Sequence, residues 1–516
     1  MLALDIADSD RYRVFTTPSP RPGRSQICAF LNLDVTALKL PCPWRWSGLP
    51  RSPERAIPKI GMSIREPTCA NPRRTWCKSA NFGTTTQVRW DIVSVMMVPG
   101  QSLPMRHRFA QSIVEDTLAD TPITVIQGAR QVGKSTLTRQ VLAHRDAKLV
   151  SLDVAAVFNA AKADPDAFVR QTSGLLGVDE VQRVPELVRA MKDAVEEDRR
   201  PGRFLITGSA NLLELPGTQE SLAGRAETVP LYGLSRGEVV GKQEDFVDLL
   251  MAGDAHTLSK RHSSMRRNDY LEILCAGSYP EPMSRAGRRR NAWFDNYLGR
   301  IVSRDARDVS RLAHLDRLPA LIRLLAANNA GELVKARIAT DSGIPETSVT
   351  SYVDLLQTLY LIHQVPAWGN NLTGRVTGRP KVALLDTGLA ARLNNVSPAA
   401  MAPGVVSDAA GGLFEAFAAG ELRRQLVWSE AAPGLFHFRA RTGIEVDLVL
   451  EDGDRNVAGI EVKAATTVTA ADFRGLAFLR DKLGERFRLG VLLHTGPQAL
   501  PFGDRLWALP YEAMWA

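Results

Sequence analysis

The 516-residue sequence predicts an α/β protein built from a parallel sheet, helical segments and a second, C-terminal α/β part. Three observations predict it. Between about 105 and 240, short apolar runs ending in polar residues alternate with helical stretches, the pattern of parallel strands covered on both faces. One such run opens into a glycine-rich turn and then a helix, "ITVIQGARQVGKSTLTRQVL" over 123–142. Beyond 410, a helix precedes strands that alternate apolar and charged residues.

Residues 1–100 hold 14 Lys/Arg against 7 Asp/Glu, so most of the chain's net charge of +8 lies there. "TTPSPRPGRSQ" and "PCPWRWSGLPRSPERAIP" show no sustained period of 2 or 3.6, and the segment is expected to be a disordered or mis-annotated extension. Cys28, Cys42, Cys69 and Cys77 also fall there without a CxxC pair, which leaves little case for zinc. Cys275 stands alone in the remainder, as suits a reducing cytoplasm. No apolar run is long enough for a membrane span. The expectation is a cytoplasmic protein that does not engage a membrane.

In the 105–240 core, a helix over 106–119 precedes the strand "ITVIQG". Gly128, Gly133, Lys134 and Ser135 fit G-x-x-x-x-G-K-[ST], the P-loop. Successive backbone N–H groups of Gly128, Ala129, Arg130, Gln131, Val132, Gly133, Lys134, Ser135 and Thr136 line a concavity for phosphate oxygens, and the next helix aims its positive end at the same anion. Lys134 reaches the outer phosphates, and the Ser135 hydroxyl is a ligand for Mg²⁺. The run "LLGVDE" ends in Asp179, the second Mg²⁺ residue, and Glu180, the group to orient and deprotonate an attacking water. "RFLITGSANLL" brings Thr207, Ser209 and Asn211 to the end of another strand, where one of them senses the γ-phosphate. Arg225 in "SLAGRAETVPLYGLS" is either a surface arginine or a group reaching a neighbouring subunit's nucleotide in a homo-oligomer.

Segment 241–315 reads as helical. Segment 316–400 reads as three helices, the last two joined by a turn with Gly343 and Pro345, followed by a hairpin: a winged helix. Its third helix presents Glu346, Thr347, Ser348, Thr350, Ser351 and Asp354 and no early Lys or Arg, which argues against DNA and for a protein partner without excluding either. In 405–516, "GIEVDLVLE" and "AGIEVKAA" place Asp447, Glu461 and Lys463 to converge if the strands pair, with Glu415 joining from the helix "GGLFEAFAAGEL". Asp447 and Glu461 are then candidate metal ligands and Lys463 a water-activating group. The alternative is a hairpin with a charged outer face.

"GARQVGKSTL", "LLGVDEVQRVPEL", "FLITGSANLL" and "LAGRAETVPLYGLS", in this order, resemble the prokaryotic AAA-type P-loop ATPases with a restriction-endonuclease-like C-terminal part, over about 105–516. The resemblance implies a P-loop NTPase sheet, ATP and Mg²⁺ as cofactors, Lys134, Glu180 and Arg225 in catalysis, and a C-terminal nuclease-like domain of unknown role. A regulated DNase and a non-hydrolysing nucleotide switch are the alternatives.

Overall fold

The computed structural model describes residues 106–209, 222–310, 312, 314–369, 378–402 and 409–516, and the short strands Leu2–Asp5 and Arg13–Thr16, which pair antiparallel. The rest of 1–105, Asn211 and residues 370–377 lie outside the described residues, so the expectations placed on them go unanswered. Met1–Val93 and Ser94–Ala516 are separate compact units, and the second holds all the remaining helices and strands.

Helix α1 (Ala110–Asp120) leads into β1 (Ile123–Gln127), followed by α2 (Lys134–Leu142), β2 (Ala147–Ser151), β3 (Leu175–Asp179), α3 (Glu186–Glu197), β4 (Phe204–Gly208) and β5 (Ala226–Pro230). The five strands run parallel in the order β2-β3-β4-β1-β5. Alternation sends Ile123 and Val125 of β1 toward Leu187, Met191 and Val195 of α3, and Ile126 toward Leu137 of α2 and Val114 of α1. Burying each such side chain contributes roughly 1.5–3 kcal/mol. The chain leaves β1 for the far edge and returns to it through β4. The carboxyl end of β1 is therefore a switch point, where ligands of open α/β sheets sit. The sequence reading did not recognise β5 as a strand; its Pro230 is tolerated because β5 is an edge.

A helical stretch follows, including α4 (Arg267–Ala276) and α5 (Gly287–Arg300), the latter running into a π turn at Ile301–Asp305. Next come α6 (Leu318–Ala327), β6 (Gly331–Glu332), α7 (Lys335–Ser342), α8 (Glu346–Thr358), β7 (Ile362–Val365) and β8 (Lys381–Leu384). Gly343 caps α7 at φ 69°, where a side chain would be strained. The three strands form an antiparallel sheet in the order β6-β8-β7.

The C-terminal part contains α9 (Ala409–Gln425), β9 (Gly434–Arg439), β10 (Glu445–Glu451), β11 (Val457–Val462), α10 (Arg474–Leu483), β12 (Phe487–His494), β13 (Leu500–Pro501) and β14 (Leu506–Pro510). The sheet order is β9-β10-β11-β12-β14-β13, with β11, β12 and β14 parallel and the other neighbours antiparallel. Leu448, Leu450 and Ile460 pack in one buried cluster, while Val446 and Val449 pack with Leu476 and Leu479 of α10 in another. The sheet is thus covered on both sides, and the charged outer face that was the alternative to a carboxylate site is buried along much of its length. Among the described residues no helix is long and apolar enough to cross a membrane.

Candidate nucleotide site and C-terminal carboxylate cluster

The turn after β1 is shaped by its glycines. A Cβ on Gly128 would lie 1.9 Å from the Leu231 carbonyl oxygen, and Gly133 has φ 104°. The Gln131 backbone is also left-handed, at φ 64°. Ala129 and Val132 are buried beneath the loop, while Thr136 is exposed on the first turn of α2. Arg108, which the sequence reading missed, braces the loop from outside. Its guanidinium donates to the Val132 and Tyr232 carbonyls, each at 2.7 Å, and pairs with Glu238 at 2.9 Å. Arg130, a predicted loop residue, pairs with Asp305 of the π turn at 2.6 Å.

Lys134 is buried, and its Nζ donates to the carbonyls of Gly128 and Ala129, both at 2.9 Å. Burial lowers its pKa to about 8, with Glu180 and Asp179 opposing the shift. Ser135 Oγ donates to Asp179 Oδ1 at 3.0 Å. The two predicted Mg²⁺ residues therefore meet although they are far apart in sequence. A hydroxyl beside a carboxylate is an oxygen donor set suited to a hard divalent cation.

Two of the candidate sensors, Thr207 and Ser209, have different partners. Thr207 Oγ1 donates to Asp179 Oδ1 at 2.5 Å and accepts from the Glu180 N–H at 3.0 Å, so it braces the acidic pair. Ser209 Oγ accepts from Gln182 Nε2 at 2.8 Å, and the same amide donates to Glu180 Oε2. Glu180 holds φ 61°, a strained setting for a residue with a Cβ and one that recurs at functional sites. Arg225 precedes β5 at the amino edge of the sheet, about 15 Å of strand away from the loop. There it pairs with Glu196 at 2.6 Å.

The C-terminal carboxylates gather around a cation that sequence reasoning did not include. Lys381 Nζ, at the start of β8, lies 2.6 Å from Glu415, 2.8 Å from Glu445 and 3.3 Å from Asp447. Only 6% of its side chain is exposed. Burial alone would lower its pKa; Glu415, Asp447 and Glu445 outweigh burial and raise it. Asp447 Oδ2 accepts from the Val462 N–H at 3.0 Å. Burial, then the neighbouring Asp447, pushes Glu461 up to about 10, and the same two causes push Glu415 up to about 8. Lys463 is near enough to oppose the shift on Glu461, and its ammonium pairs with Asp472 at 3.9 Å. Among the described residues no group of three or more His, Cys, Asp or Glu is arranged to hold a metal ion. The Lys381 ammonium takes the place a cation would have among Glu415, Glu445 and Asp447, so the set at Asp447 does not fit a metal in this structure.

Hydrogen bonds to β9 fix the segments that flank Lys381. The Trp368 N–H donates to the His437 carbonyl at 2.6 Å, the His437 N–H to Pro366 O at 3.0 Å, and His437 Nε2 lies 2.9 Å from Arg379 O. The stem of the β7–β8 hairpin is thereby docked on β9. At its other end, Tyr360 Oη donates to Gln127 Oε1 at the end of β1, at 3.2 Å.

Family models match separate stretches of the chain. Residues 120–240 match the family described as AAA domain, 267–400 a domain of unknown function (DUF8612), and 410–514 a second one (DUF4143). The chain is 28% identical over 415 residues to the uncharacterized protein Rv2008c of Mycobacterium tuberculosis, covering 79% of this chain and 84% of that protein. Mb2031c of Mycobacterium bovis matches with the same figures. Among solved structures, the Walker-type ATPase PABY2304 of Pyrococcus abyssi aligns at 14% identity and TM-score 0.36, over 55% of this chain and 94% of that one. AMPPCP-bound DnaA of Aquifex aeolicus aligns at 13% identity and TM-score 0.24, over 48% and 86%. The P-loop and the strand-end acids both lie within residues 120–240, the stretch that matches the AAA domain family.

Proposed function

We propose that this chain is a Mg²⁺-dependent ATPase of AAA type, with a winged helix over 316–400 joining the motor to a nuclease-like C-terminal part that docks a partner. The observation that carries the ATPase reading is the Ser135–Asp179 hydrogen bond, which joins the P-loop to the acidic strand end directly beside Glu180. Lys134, the loop N–H groups and the start of α2 bind the phosphates. Bound Mg²⁺ would be held by Ser135 and Asp179 and would neutralise charge on the phosphate oxygens. Glu180 takes the proton of the attacking water. That role separates hydrolysis from a pure nucleotide switch, which needs no activating carboxylate. Arg225, remote from its own loop, serves a neighbouring copy in a homo-oligomer. The test is phosphate release from ATP by the purified chain, with and without Mg²⁺ and DNA. Absence of turnover in every condition, with ATP bound, would leave the switch.

Lys134 gives a pH signature. Its charge is present below about 8 and lost above. Bound phosphates hold the proton on, so binding takes up a proton at high pH. ATP affinity should therefore be about tenfold weaker at pH 9 than at pH 7, with proton uptake measurable by calorimetry in buffers of different ionisation enthalpy. An unchanged affinity across that range would contradict the role given to the lysine.

Partner docking is favoured over DNA cleavage by the Lys381 ammonium inside the carboxylate cluster. The exposed face of α8, carrying Glu346, Thr347, Thr350, Ser351 and Asp354, supports a protein rather than a nucleic acid. Wild type and Asp447→Asn should both leave linear, supercoiled and single-stranded DNA and RNA intact with Mg²⁺ or Mn²⁺, with or without ATP. Cleavage by wild type that Asp447→Asn abolishes would establish the DNase alternative instead.

A further inference from the structure

Gln182 lies in the short turn Val181–Arg183 that follows Glu180. Its Nε2 donates to Ser209 Oγ at 2.8 Å and to Glu180 Oε2. Two acceptors fix the orientation of the amide, because turning it over would bring its oxygen against a carboxylate. In this orientation Gln182 Oε1 is buried with no hydrogen-bond partner among the described residues. An unpaired buried carbonyl costs stability, so packing alone does not account for the placement. Ser209 lies just past β4, next to β3 in the sheet, and is 9% exposed. The amide thus links groups at the carboxyl ends of two neighbouring strands.

We propose that Gln182 is a positioning residue for ATP hydrolysis, holding the Glu180 carboxylate and tying it to Ser209. The inference rests on the ATPase reading above. A donor on one carboxylate oxygen limits the carboxylate to one orientation and leaves the other oxygen for the water. Ser209 accepts from Gln182 and keeps its own hydroxyl proton to donate to a γ-phosphate oxygen. Gln182 touches neither Lys134 nor the P-loop N–H groups. Its loss therefore affects the chemical step and leaves ground-state binding of the nucleotide.

The experiment compares Gln182→Met and Gln182→Glu with wild type, measuring ATP affinity, KM, kcat and the pH dependence of kcat. Gln182→Met should lower kcat about tenfold or more and leave KM and affinity within about threefold. Gln182→Glu sets a second carboxylate against Glu180; like charges raise the pKa of the pair, so the acid limb of the kcat profile should move up by about one unit or more. A purely structural residue would not move that limb. Parent kcat in Gln182→Met, or an unshifted profile in Gln182→Glu, overturns the proposal while the ATPase reading stands. A wild type that turns over no ATP overturns both. If Gln182→Met does not fold, the pH profile of Gln182→Glu decides. If neither folds, Gln182 is structural and the proposal fails.

Discussion

Glu180→Gln should lower ATP turnover by about a hundredfold or more, roughly 2.7 kcal/mol of barrier, while ATP affinity stays within about threefold. The substitution keeps the length of the side chain and an oxygen to accept from Gln182. It removes the basicity needed to take a proton from water, a demand of the transition state alone. Lys134→Ala is the contrasting variant. In the proposed function its ammonium contacts phosphate in the ground state, so its loss should abolish measurable ATP binding. Calorimetry with Mg²⁺ and ATP, beside single-turnover phosphate release, separates the two effects. Parent-rate hydrolysis by Glu180→Gln would mean that another group acts on the water.

Lys381→Ala should destabilise the folded chain by about 3–5 kcal/mol, because it strands Glu415, Glu445 and Asp447 around an uncompensated site. The sign of the pH dependence follows from the carboxyls. Glu415 and Glu461 have folded pKa values of about 8 and about 10, above their ordinary 4.5. Groups raised in this way favour the folded state below the ordinary value, and that contribution is lost as pH climbs through the folded values. Without the ammonium the carboxyls bind protons more tightly still, so the cost of Lys381→Ala should be greater at pH 8 than at pH 5. Denaturant melts at both pH values check this, and adding Glu415→Gln should recover part of the loss. An equal, small cost at both would show that the ammonium is not the counter-charge of the cluster.

The contrast between the two sites shows what a sequence discloses. The P-loop is local: the glycines, lysine and serine lie within eight consecutive residues, and their spacing is dictated by the geometry they make. Asp179 and Glu180 are legible because an apolar strand ends on them. Lys381 is not legible in the same way. It is 34 residues from Glu415 and 66 from Asp447, and belongs to a hairpin outside the C-terminal sheet. Its one signal is a lysine opening the apolar run "KVALL" directly after a proline, which reads as a solvated strand end until tertiary contacts bury it. Glu445 alternates with Asp447 in "IEVDL" and so falls on the same polar face, but nothing local to that run points to the cation it meets. Gln182 is silent because an amide has no charge to mark it. Alternation along β10 and β11 placed Asp447 and Glu461 together; it could not show that the face they share would be roofed.

The largest apolar cluster runs through every part of this unit, from Val114 and Ile126 through Phe246, Leu271, Leu321 and Val353 to Phe414, Ile460 and Leu489. Segments that share one buried apolar cluster lose that burial together when any of them opens. The P-loop sheet, the three-helix segment and the C-terminal sheet therefore do not melt as independent bodies. A cut near 240 or 404 tears open the cluster that all of them share, and the fragment on either side exposes core that water must solvate. Slow amide exchange should run as one class from β1 to β12.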